Sequence, residues 1–76
     1  MHSLELLDLV NVKLETIPVN FHKLVNLTRI YLYQNVLKSI PGQIGDLKKL
    51  EELDISINEI ESLPESIGDL RSLEIL

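Results

Sequence analysis

Cysteine is missing from this 76-residue chain. Its absence excludes disulfides, thiolate metal sites and a thiol nucleophile together. Basic residues are scarce. Seven Lys and Arg face twelve Asp and Glu, for a formal charge of −5. That balance argues against nucleic acid, whose binders carry basic patches. No apolar run approaches the ~20 residues that span a bilayer, so no membrane role is expected. The opening residues, Met1 to Glu5, lack the basic segment and apolar stretch of a secretion signal. With the lack of cysteine, this leans towards a cytoplasmic location. What is present is globular in kind, with 45% apolar and 25% charged residues. The length allows one domain. A chain this short buries only about 60% of its unfolded surface, so a closed core would be marginal.

Three prolines reveal the organisation. Pro18, Pro41 and Pro64 stand 23 residues apart. Leu4, Leu27, Leu50 and Leu73 keep the same step, as do Leu7, Ile30, Leu53 and Leu76. The series Leu24, Leu47, Leu70 and Phe21, Ile44, Ile67 keep it too. The chain is therefore one repeat domain, residues 1–76, with coils at 4–26, 27–49 and 50–72 and a partial coil at 73–76. Coils two and three are identical at eight of 23 positions, and coils one and two at six.

Each coil opens with apolar residues alternating with others, the period-2 pattern of a strand. A strand that recurs every 23 residues in one direction must pair parallel, through right-handed crossovers. The stretch from Ile40 to Leu47 has apolar spacings of four and three. That predicts a short helical or 3₁₀ arm on the outer side, with proline near its start.

Residues 27–37 read LxxLxLxxNxL, with Ile30 in the second leucine slot, and residues 50–70 read LEELDISINEIESLPESIGDL. These stretches resemble the leucine-rich repeat family, in its 23-residue class ending LPxxIGxLxx. Intracellular Ras-group repeats and many bacterial repeat proteins have this form. The resemblance implies an α/β right-handed solenoid, with a parallel sheet on the concave face and short helical or 3₁₀ segments on the convex face. It also implies protein binding on the concave strands.

Seven apolar side chains of each coil are expected inside; in coil three these are Leu50, Leu53, Ile55, Ile60, Leu63, Ile67 and Leu70. Asn35 and Asn58 take the family's inward asparagine position, where an amide pairs backbone groups left open by the turn. Coil one departs, with Val12 in that slot and Asn11 one place early. It also has His22 and Lys23 where the others have Gly45-Asp46 and Gly68-Asp69. Neither end carries a polar cap, so each is expected to present an apolar layer and an unpaired edge. Three readings follow: a piece of a longer array, a chain that buries its ends by self-association, or a lone monomer.

Positions three, five and seven of a coil point outward on the concave side. They hold Leu6, Asp8 and Val10, then Arg29, Tyr31 and Tyr33, then Glu52, Asp54 and Ser56. With the flanking residues, among them Glu5, Glu51 and Glu74, and with Ile75 outward on the partial strand, this face holds six acids and one base. The rest of the chain balances, so the whole formal charge maps to the concave face. Charge of one sign steers partners of the other. A basic protein or peptide is the expected partner. Arg29, Tyr31 and Tyr33 are its anchors, with Glu52, Asp54 and Asp8 supplying the charge. The alternative is a structural block that self-associates or extends an array through its ends. Arg29 and Glu52 share a position on adjacent strands and are expected to pair.

Chemistry is sparse. His2 and His22 fall at unrelated coil positions, whereas a metal site needs three or four converging ligands. The three glycines sit in the arms and form no phosphate-binding loop. An open sheet offers no pocket to raise a carboxylate pKa, so no enzyme activity and no cofactor are expected. Asn26, Leu27 and Thr28 match the glycosylation triplet, without a secretion signal to accompany it.

Overall fold

The computed structural model describes residues 4–18 and 20–76. Four short strands form one parallel sheet in chain order: β1 (Leu6–Asp8), β2 (Arg29–Tyr31), β3 (Glu52–Asp54) and β4 (Glu74–Ile75). A 3₁₀ segment lies between each pair of strands: η1 (Phe21–Lys23), η2 (Gly42–Asp46) and η3 (Glu65–Asp69). This is the solenoid that the 23-residue step demands. Strands line one side, the 3₁₀ arms the other, and the leucine layer fills the space between. Pro41 and Pro64, held at φ near −70°, enter η2 and η3, and their carbonyls accept the Ile44 and Ile67 N–H groups at 3.1 Å.

The register between β1, β2 and β3 follows the sequence step, pairing Leu6 with Arg29 and Arg29 with Glu52. A small bulge sets it. The Glu5 carbonyl accepts both the Thr28 and Arg29 N–H groups, at 2.8 and 3.2 Å, and the Thr28 carbonyl accepts those of Glu51 and Glu52. At β4 the register is one residue shorter: Glu74 pairs with Glu52 and Ile75 with Leu53. There the Glu51 carbonyl takes the Glu74 N–H and the Leu53 carbonyl the Leu76 N–H, both at 2.9 Å. The 23-residue step would set Leu76 opposite Leu53, but Ile75 takes that place in the ladder, while its side chain stays exposed. A ladder without the bulge consumes one residue fewer.

Asparagine stitches the coils together. Asn35 Oδ1 accepts the Val12 and Leu14 N–H groups of coil one at 3.0 and 2.8 Å. Its Nδ2 donates to the Leu9 and Leu32 carbonyls at 2.8 and 3.0 Å. Asn58 repeats this one coil on, accepting from Leu37 N–H and donating to the Leu32 and Ile55 carbonyls. Each amide thus serves the preceding coil as well as its own. No coil precedes Val12 among the described residues, so an amide there would find only half of these partners.

The residue before each of these slots adopts a left-handed backbone: Asn11 (φ 56°), Gln34 (φ 61°) and Ile57 (φ 52°). Asn11 is therefore not an asparagine out of place. It fills the turn position that most favours asparagine. Coil one does depart in its arm, where η1 has three residues against five in η2 and η3, and starts from Asn20 at φ 70°. Gly45 answers a close approach, since a Cβ there would stand 2.8 Å from the Ser66 Cβ. Ser66 in turn donates its hydroxyl to the Gly42 carbonyl at 2.6 Å.

Candidate functional site on the concave face

The strand pairing builds the concave face row by row. Leu6, Arg29 and Glu52 form one row, and Asp8, Tyr31 and Asp54 the next. Alternation along each strand turns Leu7, Ile30 and Leu53 inward, which leaves these side chains to solvent. Arg29 and Asp8 are exposed, whereas Tyr31, Glu52 and Asp54 are half-buried against their neighbours.

Arg29 and Glu52 are paired across the strands, as expected. The contact formed is a different one. The Tyr31 hydroxyl donates to Glu52 Oε1 at 2.6 Å. A tyrosine two positions on reaches the carboxylate diagonally, and a charge-assisted O–H bond outcompetes an exposed ion pair. The bond to Glu52 raises the Tyr31 phenol above its ordinary value of 10.0, against the lowering effect of Arg29. Arg29 is held further in its charged form by Tyr31 first, then by the fields of Glu52 and Glu51.

Around this pair lies a shallow depression lined by Arg29, Tyr31, Glu51, Glu52 and Glu74. Glu74 was expected only as a flank. The shortened register brings it opposite Glu52, so three glutamates surround one arginine. Asp8 and Asp54 flank Tyr31 in its own row, and each also holds its strand end. Asp8 Oδ1 accepts the Val10 N–H at 3.2 Å, and Asp54 Oδ1 accepts the Ser56 N–H and hydroxyl at 3.1 and 2.7 Å. The second carboxylate oxygen of each makes no hydrogen bond among the described residues. Tyr33 lies a row further along, half-buried, outside the depression.

Among the described residues no group of three His, Asp or Glu side chains is placed to hold a metal ion. His22 packs edge-on against Phe21, with ring centroids 5.9 Å apart, and His2 lies outside the described residues. No helix among the described residues is long and apolar enough to cross a membrane. The Asn26 side chain accepts the Lys49 ammonium at 2.9 Å.

Comparison with known proteins agrees with this architecture. The sequence profile of the Leucine Rich Repeat family matches residues 49–70. A leucine-rich repeat protein of Leptospira interrogans, known by structure, is 37% identical and superposes with a TM-score of 0.89 over 96% of this chain. The chain spans 19% of the length of that protein. Nothing matches among curated protein sequences. Profile, superposed fold and the 23-residue register agree, and the chain belongs to the leucine-rich repeat family.

Proposed function

We propose that this chain is a protein-interaction module that binds a basic protein or peptide segment on its concave face. The family generally serves protein–protein interaction, and its fold is generally not enzymatic. One observation carries the finer reading. By position in the repeat, six of the twelve acids and one of the seven bases belong to the strand face and its flanks, with Lys49 bordering the flank beside Glu5 and Thr28. Glu51, Glu52 and Glu74 border the Arg29–Tyr31 pair in a single depression. A cationic side chain entering there meets three carboxylates. Tyr31, held by Glu52, offers it a fixed aromatic face. Tyr33 and Arg29 add contact area beside it. Neither metal nor cofactor enters this reading, and it assigns the chain no catalytic step.

The test is affinity for a lysine-rich peptide, measured by calorimetry across a salt series. Glu52→Lys with Asp54→Lys should weaken binding by at least tenfold at low salt and flatten its salt dependence. Unchanged affinity and unchanged salt slope would overturn the proposal.

A further inference from the structure

The turn beyond each of β1, β2 and β3 carries one exposed residue in a left-handed backbone: Asn11, Gln34 and Ile57. Asparagine suits that conformation, whereas a β-branched side chain is disfavoured in it. Ile57 is nevertheless held there at φ 52°, with 69% of its surface exposed. It bears a backbone penalty and gains little from packing. Its exposure belongs to the turn and not to the place of coil three in the stack. Gln34 has a coil on each side and is exposed at the same position.

Val36 is a second apolar side chain left to solvent. Coil two packs between its neighbours, yet Val36 is 38% exposed, and its counterparts are the charged Lys13 and Glu59. Hydrogen bonds lay the two turns side by side. The Gln34 N–H donates to the Ser56 carbonyl at 3.2 Å, and the Leu37 N–H to Asn58 Oδ1 at 2.9 Å. Ile57 and Val36 therefore stand on adjacent turns along one rim of the concave face. Acids border them. Asp54 lies three residues before Ile57 and Glu59 two residues after it. Glu59, Glu15 and Lys38 line a cleft together with Val36.

We infer that Ile57 and Val36 form an apolar subsite that selects a basic segment carrying an aliphatic side chain beside its lysines. This selection rests on the concave face binding a basic segment, and adds what charge alone leaves open. Glu52 and Asp54 take the lysines by charge complementarity. The aliphatic group then removes Ile57 from water, a gain that the bare turn lacks. A strained, exposed side chain costs the fold something that such a contact offsets. The spacing follows from the reach of the chain. Ile57 lies at most about 11 Å beyond Asp54, so the aliphatic residue stands within about three positions of a lysine in an extended segment.

The experiment compares two lysine-rich peptides on the full chain by calorimetry. One carries leucine three residues from a lysine, and the other serine at that place. The leucine peptide should bind at least about threefold more tightly, with a more negative heat-capacity change. Ile57→Asn should abolish that difference and leave the affinity and salt slope of the serine peptide unchanged. Asparagine suits the turn, so this variant should melt no lower than the original chain. Val36→Ser should remove part of the difference, and Ile57→Leu should keep it. Equal binding of the two peptides, or a difference that survives Ile57→Asn, would overturn the inference. A salt-dependent affinity for the serine peptide would then still uphold the basic partner, whereas binding of neither peptide would overturn both.

Discussion

Coils two and three carry leucine or isoleucine at the same seven inward positions and differ in how far they close. In coil two, Leu27, Ile30, Leu32, Leu37, Ile40, Ile44 and Leu47 are all at most 4% exposed. In coil three only Leu50, Leu53 and Leu70 of the seven counterparts are buried. Coil one is also open, with only Ile17 and Phe21 buried and Leu4, Leu7, Leu9, Leu14 and Leu24 half-buried. The residue types barely change, so the difference is one of neighbours. Coil two has a coil on each side. A repeat coil cannot bury its own apolar face, and its stability is largely the sum of two shared interfaces. The proposed concave anchors Arg29, Tyr31 and Tyr33 stand on this best-packed coil, where the backbone that presents them is most firmly held.

The sharpest way to break this comparison is to truncate equivalent side chains. Ile40→Ala, at a position only 4% exposed, should cost about 2–5 kcal/mol by leaving a cavity in the closed coil. Leu63→Ala, 40% exposed, should cost under about 1 kcal/mol by urea denaturation. Equal losses would mean that closure does not follow the number of neighbours. Next in size is Asn35→Ala, on the order of 3 kcal/mol, because it strips partners from the Val12 and Leu14 N–H groups and from two carbonyls. Amide exchange at Leu14 should quicken with it, and a loss confined to coil two would contradict the stitching of neighbouring coils. The smallest change has the opposite sign. Ile57 is a β-branched residue at φ 52°, 69% exposed. Ile57→Asn should stabilise by about 0.5–1 kcal/mol by relieving the left-handed penalty without loss of packing. A destabilisation would show that Ile57 makes contacts beyond its turn.

Much of this architecture was legible from spacing alone. The 23-residue step placed the strands and the 3₁₀ arms, because apolar periodicity reports burial directly, whereas the inward place of Asn35 and Asn58 came from the resemblance to the family. Three features were hidden, each for its own reason. The left-handed turn was masked in coil three, where isoleucine occupies a position that its propensity disfavours. The register of β4 depends on whether one carbonyl accepts two successive N–H groups, which no side-chain pattern encodes, and Glu74 was misplaced with it. The Tyr31–Glu52 bond, in place of the expected Arg29–Glu52 pair, is a rotamer choice among groups already correctly assigned to one face. Position along the repeat predicts which side chains meet. It does not predict which of them bond.

The most direct test of the acidic concave face is to map a lysine-rich peptide onto it by amide chemical shifts. Perturbations should concentrate at Arg29, Tyr31, Tyr33, Glu52, Asp54 and Asp8, extend to Glu74, and fade with added salt. Shifts centred instead on the 3₁₀ arms, or on the end face around Leu63 and Ile67, would contradict the account.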